Sequence, residues 1–418
     1  MKTVVVGAGI NGVVAAIELR KRGNDVVLVD PGPVPHPLAA SNDISKVVRA
    51  AYGADKEYTK LAERSRGIWQ QWNVEFGVEL YHEVGFLCMR QRPMQAGDFE
   101  YESLRLLERR GHRIERVNSD YLRRHFPAWN AERYPDGFLD FEAGYAEAGR
   151  AVAILIERAK SIGVAVREGR FVALDEADDR VKGVVLAERS SNDVISSEVE
   201  GSRDGSFKAA PRDSSTSLRM TRVAAHAVVM ATGAWTPYLL PFTREFFQAR
   251  GQPVFHLKPA QPELFSPERF PIFGADISAT GFYGFPLNHD GVVKIANHGV
   301  GREMSPESPE RVVTKEQEKQ MREFVADSFP SLADAPVVFT RVCFYCDTKD
   351  GDFWIAPDPD RAGLTIATGD CGHGFKFAPV LGGIIADAVE GKVNPKFRWR
   401  PEVKAGAAKE AARFQGEL

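Results

Sequence analysis

Six residues near the start of the sequence, Gly7-Ala8-Gly9-Ile10-Asn11-Gly12, lie between an apolar strand-like run (residues 3–6) and a helix-like stretch of small and apolar residues (13–22). A second strand-like run, 25–30, ends in Asp30. This is the dinucleotide fingerprint. Gly7 permits the tight turn, Gly9 lets the backbone approach a pyrophosphate, and Gly12 lets helix and strand pack closely. The helix N-terminus, at Ile10 and Asn11, offers N–H groups and positive dipole to phosphates, while Asp30 accepts the hydroxyls of an adenosine ribose and disfavours a 2′-phosphate. Glycines at this spacing alone are a weak signal. Strand, turn, helix, strand and terminal acid in this order are a strong one.

A chain of 418 residues has room for two or three domains around such a unit, with a large core and a buried cofactor. Its 54 Lys+Arg against 57 Asp+Glu leave a net charge of −3, which argues against a dedicated binder of nucleic acid or of anionic membranes. No apolar run approaches the ~18–20 residues of a membrane span. The first residues lack the apolar core of a signal peptide, and four scattered cysteines do not make a disulfide framework. The expectation is a cytoplasmic protein handling a small molecule.

The pattern then changes to amphipathic helices, notably over 55–76, with short strands around 80–90 and a further helix over 144–163. Arg105, Arg109, Arg110, Arg113 and Arg116 read as a solvated helical face. Residues 164–186 read as strands returning to a nucleotide-binding sheet. Residues 189–222 interrupt them with nine serines between Ser190 and Ser217, few large apolar residues and no period, so an exposed insertion is expected there. The strand at 225–230 runs into Ala231-Thr232-Gly233-Ala234-Trp235, a small-residue turn where backbone can pass close to a flat cofactor at Gly233 and Trp235. Strands are expected near 289–295 and 362–368, a helix over 380–390, and a surface helix or frayed tail from Pro401.

Beside the fingerprint stands a distinctive block: Arg341-Val-Cys343-Phe-Tyr345-Cys346-Asp-Thr348, then Ala367-Thr-Gly369 and Gly372-His-Gly374-Phe375-Lys376-Phe377. With these motifs the chain resembles the flavin-dependent amine oxidases of the D-amino acid oxidase superfamily. Within it the likeness is to the branch of monomeric sarcosine oxidase, pipecolate oxidase and the fructosyl amino acid (Amadori) and saccharopine oxidases. The resemblance covers the chain except the Ser-rich stretch. It implies FAD on the fingerprint, on Ser41 and Lys46, and on the Gly372–Lys376 segment, joined covalently through sulfur at Cys343. Read bottom-up, a cysteine in an apolar strand is more often a small buried hydrophobe. A Cys343-x-x-Cys346 redox or metal pair is a second alternative; no second CxxC or suitably spaced histidine supports a metal. Strand alternation turns the two sulfurs to opposite faces, so one alone can meet the flavin: Cys343 is favoured and Cys346 held as the fallback.

The resemblance also implies that a substrate carboxylate binds Arg49, in Ser41-Asn-Asp-Ile-Ser-Lys46-Val-Val-Arg49, with Lys376 as its partner. A guanidinium fork suits a buried carboxylate, which costs several kcal/mol unpaired. Lys294 is implied to lie near the flavin and to promote its reaction with oxygen, because a fixed cation stabilises developing superoxide charge. His298 would orient the substrate, and Tyr283 and Tyr345 would line the pocket; the ordinary alternative for each is a hydrogen-bonded core residue. Asn42-Asp43-Ile-Ser-Lys46 leans toward the Amadori and saccharopine branch. Asp358-Pro359-Asp360 and Asp370-Cys371 depart from the family pattern, which leaves the substrate open, with an N-substituent bulkier than methyl.

The expected architecture is α/β: a Rossmann-like FAD domain from 1–80, 146–240 and 341–395, interleaved with a substrate domain on a mixed or antiparallel sheet from 81–145 and 241–340, and a tail from 396 to 418. The expected reaction is oxidation of the C–N bond of an N-substituted amino acid in a monomer, with O2 reduced to hydrogen peroxide. Three competing readings are a dehydrogenase passing electrons to another acceptor, an NAD enzyme, and a non-catalytic FAD-binding module.

Overall fold

The computed structural model describes residues 1–189, 218–404 and 410–416. Strand β1 (Lys2–Val6) and strand β2 (Asp25–Asp30) flank helix α1 (Ile10–Lys21) as the fingerprint requires, paired in parallel. Three valines, Val4, Val5 and Val6, each at most 4% exposed, explain why β1 takes the centre of its sheet. The sheet has six strands in the order Trp354–Pro357, Leu364–Thr368, Ala227–Met230, β1, β2, Ala165–Glu168, and only the Trp354–Pro357 edge is antiparallel. α1 is apolar over most of its circumference, because one side packs on this sheet and another meets the helix Ala378–Val389. The two helices touch where Gly382 has no side chain: a Cβ there would lie 2.6 Å from the carbonyl oxygen of Val14.

A second, nine-stranded mixed sheet forms the other half. Its longest pairing joins Phe247–Leu257 to Val337–Thr348 antiparallel, while Ile272–Ala275 and Phe86–Arg90 run parallel. Strand Val337–Thr348 belongs wholly to this sheet, and a division of the chain at 341 would pass through it. A core of aromatic side chains, Phe265, Phe270, Phe273 and Phe329 among them, fills the space between this sheet and the helix Lys315–Ser328. That helix opens with a Thr314–Gln317 capping box, a device that holds a helix end by about 1 kcal/mol. The α/β architecture with a mixed second sheet is the one expected from the sequence.

Several local expectations change. Residues 144–163 begin as a strand, Gly144–Ala146, before the helix Ala148–Ser161. Arg113 and Arg116 are not helical: the helix Phe99–Arg109 ends first, and Arg116 lies on strand Ile114–Asn118, paired with Asp136. Of the strands between 164 and 224, Ala165–Glu168 alone joins the six-stranded sheet; Arg170–Ala177, Arg180–Arg189 and Leu218–Ala224 form a separate antiparallel sheet. The expected insertion therefore has strand at both of its ends, 189 and 218–222, and its body, 190–217, lies outside the described residues. The described parts of the tail, 401–404 and 410–416, contain no helix, and Ala412 and Arg413 are buried. Among the described residues no helix is long and apolar enough to cross a membrane.

Candidate active site

One cavity of about 360 Å³ runs from the fingerprint to the face of the mixed sheet. Gly7, Gly9, Ile10, Asn11, Asp30, Ser41, Lys46, Arg49, Gly233, Trp235, Tyr283, His298, Cys343, Tyr345, Gly372, Phe375 and Lys376 all line it. Of the residues singled out from the sequence, Gly12, Gly374 and Lys294 do not.

At the nucleotide end the fit to FAD rests on backbone. Gly7 takes φ +100°, and a Cβ on Gly12 would lie 1.7 Å from the Gly7 carbonyl oxygen, so Gly12 acts by letting turn and helix close up rather than by facing a ligand. α1 starts at Gly9 with no side-chain cap and no acid in its first turn, which leaves its dipole available to an anion. Asp30 accepts from the Ala8 N–H through Oδ2 at 2.8 Å, while its buried Oδ1 has no hydrogen-bond partner among the described residues. An orphaned buried acceptor in a cavity wall fits a ribose hydroxyl. Burial pushes the Asp30 carboxyl up, against the Ala8 N–H.

The middle of the cavity carries the cysteine. Cys343 faces it, whereas Cys346 packs behind the strand against Trp354 and Phe247, so the alternation expected from the sequence separates them. The Lys46 ammonium donates to Cys343 Sγ at 3.4 Å and to Asp43 Oδ2 at 2.8 Å. Burial opposes charge on Lys46, yet Asp43 raises its pKa.

Lys294 is fully buried, and its ammonium donates to Asp43 Oδ2 at 2.7 Å and to the Ser45 carbonyl at 2.6 Å. Lys294 lies within the strand Val293–Asn297, and His298 follows directly after it. The turn through Asp43 and Ser45 covers Lys294, which borders a small neighbouring pocket instead. Burial, reinforced by Lys46, lowers Lys294 to about 8, against the pull of Asp43. Asp43 is held well below the usual carboxylate range: burial would raise it, but Lys294 and Lys46 outweigh that.

At the far wall Arg49 is buried and donates through Nη1 to the Ala51 carbonyl and through Nη2 to Glu410 Oε1 at 2.5 Å. Glu410 Oε2 lies 2.6 Å from His298 Nε2, and Tyr345 Oη 3.2 Å from Nδ1. An ionised carboxylate only accepts, so Nε2 carries the proton and Nδ1 accepts from Tyr345. Burial lowers His298 and keeps it neutral, although Glu410 pulls the other way. Lys376 donates to Tyr52 Oη and to the His373 carbonyl, both at 2.9 Å. His373, held down to about 3 by burial, donates from Nε2 to the Gly351 carbonyl and accepts from Tyr52 at Nδ1. Burial and the nearby Arg49 charge depress Lys376 well below the ordinary lysine range. Its own carbonyl is fixed by Trp69 Nε1, at 2.9 Å, and by Ser65 Oγ, both on the helix Lys56–Phe76.

Sequence reasoning missed Asp43 as the bridge between two lysines, Tyr52 and His373 as the relay behind Lys376, and Glu410. Tyr52 and Asp43 sit within a few residues of Arg49, a signal that was present. Glu410 lies in an Ala/Glu/Lys-rich stretch that carries none.

The family model for FAD dependent oxidoreductases (DAO) matches residues 2–388. The chain belongs to this family. Among curated relatives, the L-saccharopine oxidase of Schizosaccharomyces pombe is 28% identical, covering 97% of this chain and 94% of that protein. The monomeric sarcosine oxidase of a Bacillus species is 24% identical over 94% and 93%. Among solved structures, fructosyl peptide oxidase from E. terrenum superposes with a TM-score of 0.78 at 20% identity, over 99% of this chain and 95% of that one. Amadoriase II of Aspergillus fumigatus in complex with FSA gives 0.77 at 24%, over 99% and 93%. These structures share the fold of this FAD-dependent oxidoreductase.

Proposed function

We propose that this FAD-dependent oxidoreductase oxidises the C–N bond of an N-substituted amino acid to an imine, which water hydrolyses to an amine and an aldehyde or keto acid. The observation that carries this reading is that one cavity joins the dinucleotide turn to a wall bearing Arg49, His298, Tyr345 and Lys376. Two relatives that cover 97% and 94% of the chain are named as oxidases of saccharopine and of sarcosine. FAD, when bound, supplies the acceptor for the two electrons and the proton equivalent that leave the carbon next to nitrogen.

The chain's residues supply position and charge. Arg49 is the fork for the substrate carboxylate, with Lys376 and its Tyr52–His373 relay alongside. Neutral His298 and Tyr345 present hydrogen-bonding groups beside the amine rather than a competing cation. Holding the amino acid by its carboxylate in this buried wall fixes the reacting carbon, and such positioning is worth orders of magnitude in rate. Cys343 is the attachment point for the flavin: its sulfur faces the cavity beside the Lys46 ammonium, and Cys346 does not reach it. Dioxygen accepts the two electrons and two protons to give hydrogen peroxide, with positive charge from Lys46 and, behind it through Asp43, Lys294. The covered position of Lys294 favours one second reading, a dehydrogenase that serves another acceptor.

Anaerobic bleaching of the flavin absorbance by a panel spanning sarcosine, pipecolate, N-methyl amino acids, fructosyl amino acids and saccharopine tests the proposal. Bleaching by one class names the substituent, and no bleaching by any defeats the reading. Air-reoxidation of the bleached protein within seconds separates oxidase from dehydrogenase. Cys343→Ala is expected to release the flavin on acid denaturation; colour that stays with the precipitate would move the attachment elsewhere.

A further inference from the structure

Glu410 comes from a segment remote in sequence from the fingerprint, the Arg49 turn and the Lys376 loop, yet its side chain is only 5% exposed and bonds to both groups of the substrate wall: Arg49 Nη2 at 2.5 Å and His298 Nε2 at 2.6 Å. The segment that delivers it is anchored. Arg413 donates to the Gly299 carbonyl at 2.6 Å, to the Cys371 carbonyl at 3.0 Å and to Asp347 at 2.8 Å, and its guanidinium lies over the Tyr345 ring. The Phe414 N–H donates to the His298 carbonyl at 3.0 Å, and Ala412 is buried in the main core. Glu410 is therefore a built part of the wall.

Its charge matters as much as its place. The Glu410 carboxyl is held well below the usual range, because Arg49 and His298 outweigh the effect of burial. With His298 and His373 neutral, Arg49 and Glu410 form a closed pair. A second carboxylate arriving at Arg49 would find its cation already neutralised and a like charge beside it, an arrangement that disfavours binding strongly in a buried site. A substrate or ligand without a carboxylate meets no such competition.

We propose that Glu410 is the specificity-determining residue of the carboxylate subsite, a resident occupant of Arg49 that every substrate carboxylate must outcompete. This rests on Arg49 as the carboxylate seat in the reading above. The occupant lowers affinity for carboxylate ligands and narrows the preference for an N-substituted amino acid over its decarboxylated analogue. Glu410→Gln keeps the size and a hydrogen-bond acceptor for His298 but removes the charge.

The test uses the full-length, FAD-loaded protein and acetate as the probe, titrated at constant ionic strength while the flavin absorbance is followed. Glu410→Gln is expected to bind acetate at least about tenfold tighter than the wild type, as expected for losing a like charge at short range. Glu410→Ala, a second variant in case the first does not fold, is expected to tighten binding in the same direction. The preference for an N-substituted amino acid over its decarboxylated analogue should rise in both variants through KM rather than kcat. Equal or weaker acetate affinity in the variants, including no response in any of the proteins, overturns the proposal. The amine panel run on the same proteins separates the two readings: bleaching without tightened acetate binding defeats Glu410 alone, and tightened acetate binding without bleaching defeats the amine reaction alone.

Discussion

The two ends of the cavity are built by different means. At the nucleotide end, the turn Gly7–Gly12, the start of α1 and the end of β2 come from the first thirty residues, and the groups that fit a ligand are backbone N–H groups and one carboxylate. At the far end, the proposed substrate wall, Arg49, His298, Tyr345, Lys376 and Glu410 come from five separate stretches, and every polar group is a side chain neutralised or oriented by another. A local backbone device tolerates no added atom but needs few partners. A side-chain wall tolerates change atom by atom, because its charges are distributed.

Predictions that strain this contrast follow in order of size. Gly12→Ala puts a methyl 1.7 Å from the Gly7 oxygen; the turn must open, at a cost on the order of 3 kcal/mol or more. The purified protein is expected to lack flavin absorbance and to melt at lower temperature. Normal loading would mean that backbone closure is not what holds this end.

Arg49→Lys retains the charge and loses the fork. It is expected to lower kcat/KM for a carboxylated amine by about 10²-fold, with flavin content unchanged. An equal loss for a decarboxylated analogue would show that Arg49 supports the wall rather than reading the carboxylate.

Asp30→Asn keeps the shape of the acceptor and removes its charge, so FAD affinity measured on non-covalent Cys343→Ala protein is expected to fall about tenfold, the worth of one charged hydrogen bond. No change would assign the ribose to another group.

Lys294→Met is expected to slow flavin reoxidation by oxygen more than reduction by substrate; equal slowing would sink the oxygen role. The same variant carries a pH test. Lys294 titrates at about 8 in the folded protein and near 10.4 when unfolded. Between those values the unfolded chain holds more protons, so stability rises with pH across that window and the lysine's penalty is complete below pH 8. The rise, at most about 3 kcal/mol, should be absent in the variant when unfolding is followed from pH 7.5 to 10.5.

What could be read from the sequence follows the same division. The fingerprint was legible because strand, turn and helix depend on neighbours in the chain: valines that fill a sheet centre, a glycine at positive φ, a glycine without room for a Cβ. The separation of Cys343 from Cys346 was legible because alternation along a strand is a two-residue rule. The resemblance implied that Lys294 lies near the flavin, but no local rule shows that the turn through Asp43 and Ser45 lies over it, since 251 and 249 residues of sequence separate those groups.

The sequence by itself determined the α/β class, the dinucleotide turn and the opposite facing of Cys343 and Cys346, because these rest on local sterics and short periods. The tertiary structure alone decided the side-chain pairings around the cavity: that one aspartate bridges Lys46 and Lys294, that Lys376 is backed by Tyr52 and His373, and that Glu410 sits on Arg49. The bonds Lys294–Asp43, Lys376–Tyr52 and Arg49–Glu410 each join a buried cation to a partner 251, 324 and 361 residues away in the sequence. Each is set by the requirement that a buried ion find a partner, and the chain satisfies that requirement only once both halves have closed around the cavity.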